Sequence, residues 1–242
     1  EGEPMELKLL HLYDDAMNLY GEYANVSLLA RYLTDLGHSV RVETLSLYEK
    51  KDISGFDFYY MGAGTERRQK LVLPQLLQYR EALLEAKRRG AVLLFTGNAF
   101  ELLGSAVTDA EGKRYDCLGF AGFESNETKR RITGDVIARI GDERVVGFMN
   151  KCGHTTGVKQ PLFHVEFGFG NEAACGDEGW RDGNCFGTHI TGPLLVKNPS
   201  MLRRVAEALL GDAFADTVQY PYMQRGYEMT LSELTKRMEA LK

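Results

Sequence analysis

Few side chains in this chain are suited to covalent chemistry, and their spacing decides which reactions are open to them. The stretch AVLLFTGNAFELLG, residues 91 to 104, has the layout of a catalytic turn. Ala91 to Phe95 is an apolar run of one buried strand's length. Thr96-Gly97-Asn98 is a sharp turn, and Ala99, Leu102 and Leu103 then fall at helical spacing. Strand, tight turn and helix form the elbow that lifts a nucleophile above a sheet in a strained, positive-φ conformation. At this turn the residues suited to positive φ are Gly97 and Asn98, and neither is a nucleophile. The geometry for attack is present without the attacking atom.

The remaining reactive types lie in the second half. Cys152 falls in NKCGH, read as a loop, with Lys151 and His154 close enough in sequence to favour a thiolate; it is a minor nucleophile candidate. His189, the other minor candidate, stands two residues before Thr191, so on a strand the two share a face, roughly 6–7 Å apart along it. Cys185 and His189, or Cys152, His154 and Cys175, are zinc-ligand types. On an extended strand, however, Cys185 and His189 stand roughly 13 Å apart, and no common zinc spacing occurs, so no metal is expected.

The elements that must position these residues alternate from residue 7 to 104. Leu7 to Tyr13, Ser39 to Leu45, Phe56 to Met61 and Ala91 to Phe95 read as strands. A helix carries Leu29, Tyr32, Leu33 and Leu36 on one face, with Asn25 as its N-cap and Gly37 just past its end. A second places Pro74 in its first turn and buries Leu76, Leu77, Leu83 and Leu84 before Gly90 stops it. Such alternation predicts a three-layer α/β sandwich around a central, mainly parallel sheet, with the elbow at the carboxyl ends of its strands. From 112 to 192 glycine is frequent and helical periodicity is absent. Arg131 to Ile140, Val145 to Asn150 and Phe186 to Thr191 read as strands, some of them antiparallel, and 168 to 184 reads as a loop. Ser200 to Leu210 is a helix closed by Gly211, and Thr230 with Glu233 suggests a capping box before a last helix. No repeat or low-complexity linker divides the chain, so residues 1–242 are expected to form a single domain.

Composition narrows the function. A net charge of −5 offers nothing to nucleic acid or an anionic membrane, and no apolar run reaches transmembrane length. The polar start, Glu1 to Pro4, reads as a short tail rather than a signal peptide. Four cysteines without a CxxC pair point to free thiols and a cytoplasmic protein.

Several segments in one order resemble the class I glutamine amidotransferases of the cobyric acid synthase (CobB/CobQ) type, and within them the small GatD subunits of lipid II isoglutaminyl synthase. NLYGEYANV resembles that family's N-L-Y-[SG]-D-x-G-N, and MGAGTERRQ its G-G-G-[ST]-x-x-x-Q turn. FTGNAFELLG resembles its I-C-G-G-Y-Q-x-L-G elbow, and KRRITGDV its N-R-x-T-G-[DE] strand. GFMNKCGHT resembles G-[FY]-E-N-H-x-G-x-T, and FGTHITGPLLVKNP resembles L-G-T-Y-x-H-G-P-x-L-x-x-N-P. The resemblance implies the flavodoxin-like amidotransferase fold, no cofactor, and a Mur-ligase-like synthetase as partner. It also implies a ligand site built from Gly62, Gly64, Gly97, Asn98, Arg131 and Asn150. Arg131 would orient glutamine or another small carboxylate, and the turn and elbow N–H groups would form an oxyanion-type nest.

The same comparison marks departures. A gapless placement puts the family's cysteine nucleophile at Gly97, its histidine base at Thr191, its elbow glutamine at Glu101 and its elbow tyrosine at Phe100. Glutamine hydrolysis needs a thiolate and an imidazole, and on this placement both are absent. Two functions follow. One is a subunit that keeps the fold for binding and has lost glutaminase chemistry. The other is an active subunit supplying ammonia to a synthetase for a cell-wall precursor or a cobyric-acid-type substrate.

Overall fold

The computed structural model describes residues 3–241; Glu1 and Gly2 of the polar tail lie outside the described residues. The alternating first half forms β1 (Glu6–Leu12), α1 (Tyr23–Asp35), β2 (Ser39–Leu45), β3 (Phe58–Met61), α2 (Glu66–Gln78), α3 (Arg80–Arg88) and β4 (Val92–Thr96). A 3-10 segment, Gly97–Leu103, follows β4 where an α-helix was expected. It is buried on nearly every side, against α2 and β4 among others, so packing rather than an amphipathic pattern sets its pitch. The second half contributes β5 (Ala106–Thr108), β6 (Arg114–Asp116), β7 (Glu124–Ile140), β8 (Glu143–Thr156), β9 (Phe163–Phe167), β10 (Asp177–Glu178), β11 (Trp180–Asp182) and β12 (Cys185–Thr188). Three helices close the chain: α4 (Leu194–Lys197), α5 (Pro199–Leu210) and α6 (Pro221–Glu239).

The first sheet has the order β11-β12-β4-β3-β1-β2, parallel throughout except for the β11–β12 pair. Its strands alternate their faces as period-two geometry requires. Leu10, Leu12, Tyr59, Met61, Leu93 and Phe95 pack with Val72 and Leu76 of α2 and Leu83 and Ala86 of α3. Leu7, Leu9, Phe58, Tyr60, Val92 and Leu94 pack on the opposite face with Val26, Leu29 and Leu33 of α1 and Met201, Leu202 and Val205 of α5. This is the expected three-layer arrangement, and the elbow leaves the carboxyl end of β4. The second sheet, β10-β9-β7-β5-β6 with β8 on β7, is antiparallel except for the β5–β7 pair.

Several local expectations are corrected. Asn25 lies inside α1, not at its N-cap: its amide is buried, donating to Tyr60 Oη (2.9 Å) and accepting from Leu195 N–H (2.8 Å). Pro74 is inside α2, which starts eight residues earlier because Thr65 Oγ1 caps it by accepting from Arg68 N–H. Thr230 sits within α6, its hydroxyl donating back to the Gly226 carbonyl, so it is no capping box. The 168–184 segment holds β10 and β11, strands of two and three residues that are too short to show a period. No helix among the described residues is long and apolar enough to cross a membrane.

Candidate functional site

β4 delivers a fully buried Thr96 to the carboxyl edge of the sheet, and the next residue, Gly97, turns the chain at φ +62°. A side chain at that conformation is strained, which is why the apex suits glycine. Space is a second restriction. A Cβ at 97 would overlap the methyl of Ala63 and stand 3.2 Å from Ala63 Cα. The loop after β3 and the elbow after β4 therefore meet with Ala63 against the apex.

Beneath this meeting point runs a chain of buried polar groups. Glu22, fully buried just ahead of α1, accepts from the Ala63 N–H and from Thr96 Oγ1 (2.8 Å). Thr96 Oγ1 lies 2.8 Å from Tyr60 Oη, which in turn receives the Asn25 amide. Burial pushes the Glu22 carboxyl up to about 7, against the pull of its Ala63 and Thr96 hydrogen bonds. Gly62 is held close to this carboxylate: a Cβ there would lie 2.9 Å from Glu22 Oε2.

In front of the elbow is a pocket of about 160 Å³, lined by Tyr20, Gly64, Glu66, Asn98, Arg131 and Asn150 among others. Four of the expected ligand residues, Gly64, Asn98, Arg131 and Asn150, are thus brought together. Gly62 and Gly97 are buried behind the pocket, in contact with Glu22 and Ala63. Arg131 donates to Asn150 Oδ1 (2.9 Å) and to Glu66 Oε1 (2.8 Å), so its charge is met by the chain's own carboxylate. Burial acts to raise the Glu66 carboxyl, and the hydrogen bond from Arg131 leads the groups that hold it below its usual value. The expected oxyanion-type nest is corrected at the turn. The Ala63 N–H is taken by Glu22, and the Gly64 N–H by Asn98 Oδ1 (3.0 Å).

The other candidates are each engaged by neighbouring groups. Cys152 is in strand β8, not a loop, and its thiol donates to Glu66 Oε1 (3.3 Å). Burial, with Glu66 beside it, pushes this thiol up to about 12. Lys151, the neighbour expected to activate it, is buried and donates instead to the carbonyls of Gly170 and Asn171. Successive strand residues face opposite ways, so adjacency in sequence gave no contact. Thr191 is buried, paired with Phe148 in both backbone directions, and its hydroxyl donates to the Phe148 carbonyl (3.0 Å). His189 is buried between two carboxylates, Nε2 3.1 Å from Glu101 and Nδ1 3.4 Å from Glu178, with its ring edge-on to Phe100. Burial acts to raise the Glu101 carboxyl, while His189, Gln69 and Lys70 outweigh it and hold the group low. Glu101 thus fills a structural role with His189 rather than facing the pocket.

Glu22 and Glu66 are the site residues that sequence reading missed. Glu22 and Glu66 lie inside the two segments already singled out, NLYGEYANV and MGAGTERRQ, each as an acid beside a glycine turn. That position was the available signal.

Residues 8–199 match the family model of the CobB/CobQ-like glutamine amidotransferase domain. Subunit GatD of the glutamine-hydrolysing lipid II isoglutaminyl synthase of Streptococcus pneumoniae is 31% identical over 235 residues, covering 95% of this chain and 89% of its own length. The same-named subunit of Staphylococcus aureus is 29% identical over 194 residues, 80% of each chain. Among solved structures, a glutamine amidotransferase aligns at TM-score 0.57 with 13% identity, covering 83% of this chain and 98% of its own. The PurLQS structure from Thermotoga maritima aligns at 0.51 with 12% identity, covering 88% of this chain and all of the matched one. At those identities the structural likeness concerns the fold alone.

Proposed function

The chain belongs to the CobB/CobQ-like glutamine amidotransferase domain family, and from that premise we propose that it is a GatD-like subunit that has lost glutaminase chemistry and serves by binding. The observation that carries this reading is the elbow apex: Gly97 supplies no side chain, and Ala63 stands against it. Hydrolysis of a glutamine amide needs a thiolate to attack the carbonyl carbon and an imidazole to protonate the leaving ammonia. Thr191, at the family's base position, has a hydroxyl spent on a backbone carbonyl. Neither rescue candidate supports the reaction: Cys152 is held as a thiol, and His189 is enclosed by Glu101 and Glu178.

Binding is what these groups support. The Arg131 guanidinium has N–H groups beyond those given to Glu66 and Asn150, enough to meet a ligand carboxylate. A small carboxylate or amino acid, glutamine included, fits that chemistry. The relatives named above are subunits of a synthase, and the partner proposed here is a synthetase subunit of the Mur-ligase-like kind, with free ammonia serving any amidation.

The test is glutamate release from glutamine by the purified chain, alone and with its synthetase subunit. No release above the protein-free blank is expected, while ammonium salts support any amidation by the pair. Release that is abolished both by thiol alkylation and by Cys152→Ala would overturn the reading and return the active alternative.

A further inference from the structure

At the corner between the turn after β3 and the elbow after β4, the apex has no side chain, yet the space is not empty. The family patterns have glycine at the middle of G-G-G and directly after the nucleophile; this chain has Ala63 and Asn98 there. Both side chains point inward across the corner. The Ala63 methyl occupies the place a Cβ at 97 would need. The Asn98 amide bonds both polar groups of Gly64, accepting from its N–H (3.0 Å) and donating to its carbonyl (2.8 Å). From behind, Gln69 Nε2 donates to the Asn98 carbonyl (2.6 Å). The turn is thereby fastened to the elbow at Asn98, and α2 holds the same residue from behind.

We propose that Ala63 and Asn98 have converted the reactive corner into a packed joint, in which side chains at 63 and 97 exclude one another. Its meaning for function rests on the reading above, that residue 97 is the family's nucleophile position. The exclusion itself rests on distances alone. Interiors are packed without spare volume, so an added methyl must displace its neighbour or strain the backbone. Restoring a nucleophile at 97 thus requires removing the Ala63 methyl first. The joint also explains why the amides of the turn are unavailable to a ligand: Glu22 and Asn98 already hold them.

A double-mutant cycle on the full chain tests this, with melting temperature as the readout. Ala63→Gly in the native background removes a packed methyl, and a loss of about 2–4 °C is expected. Gly97→Ala adds one methyl at positive φ and against Ala63, and a loss of roughly 5–10 °C is expected. Joining the two should reverse the sign of the first: Ala63→Gly raises the melting temperature of Gly97→Ala, because the overlap is relieved. Equal losses from Ala63→Gly in both backgrounds would overturn the joint. If Gly97→Ala does not fold, recovery of soluble, folded protein on adding Ala63→Gly supports it, and no recovery overturns it. Glutamine hydrolysis by the native chain would remove the functional reading and leave the sign of this cycle unchanged, so the two failures are told apart.

Discussion

At the scale of single residues, tertiary surroundings rather than sequence neighbours set what each reactive side chain meets. Cys152 is the clearest case. Beside a lysine and a histidine in sequence it reads as an activated thiol, but strand alternation turns Lys151 the other way and leaves Cys152 against Glu66. Burial raises Cys117 and Cys152 to about 12 and Cys185 still further, whereas Cys175 is exposed. Thiolates are the species that alkylate. Iodoacetamide at neutral pH should therefore mark Cys175 first, with the other three at least about tenfold slower in the native state, read by peptide mass. Cys152 labelling as fast as Cys175 would mean its pairing with Glu66 is wrong. The expectation that Gly97 and Thr191 take the family's nucleophile and base positions rests on residue type and order. That Arg131 already holds an acid was not legible, because its partner Glu66 lies 65 positions away.

Elements carry these residues into register, and the joints between elements are held by single buried amides. Asn198, between α4 and α5, accepts from Val146 N–H (2.7 Å) and donates to the carbonyls of Val146 (2.8 Å) and Leu194 (2.9 Å). It ties the end of β12's connection to β8, the strand that bears Asn150 and Cys152. Asn198→Ala leaves the Val146 N–H buried without that partner, and a destabilisation of about 2–4 kcal/mol is expected. Thermal unfolding would show it as a drop of roughly 5–15 °C; a loss below about 1 kcal/mol would deny Asn198 this role. β3 and β4 were readable because each is a short apolar run between glycines, and β2 because its residues alternate; Gly37, Gly90 and Gly211 mark helix ends at positive φ as expected. The second half was readable only in outline. Its long hairpin of β7 and β8 is paired across a register shift between Glu127 and Ile132, and exposed and buried residues follow no simple period there. Helix starts were misread where a side chain suited to capping, Asn25 or Thr230, was engaged elsewhere by tertiary contacts or sat mid-helix.

At the scale of the whole molecule, the buried ionisable groups at the sheet's carboxyl edge couple the fold to pH. Glu22 joins the segment before α1 to the loop after β3 and to the end of β4, so its charge state bears on three parts of the chain at once. Its carboxyl, ordinarily near 4.5, is raised to about 7 by burial. Between those values the folded chain holds a proton that the unfolded chain has released. Folding stability from this group is therefore full below about 4.5 and is lost as pH rises to about 7, by up to about 3 kcal/mol. His11, on β1 beside Tyr60, works in the opposite sense. Burial lowers it from 6.5 to about 4, so it must stay neutral in the fold, and stability from it is full above about 6.5 and lost as pH falls toward about 4. Over the shared window the two slopes oppose each other, and the native profile from pH 4.5 to 6.5 is flattened. Glu22→Gln removes one slope and keeps an oxygen able to accept from Ala63 N–H. Relative to the native chain, that variant should gain stability as pH rises from 4.5 to 7.5, while its own profile now climbs with the titration of His11. Urea unfolding of both proteins at half-unit pH steps measures the difference directly, with the titrations of the other carboxylates cancelling. A variant whose stability relative to the native chain stays constant, or falls, as pH rises would show that burial does not raise the Glu22 carboxyl in the fold.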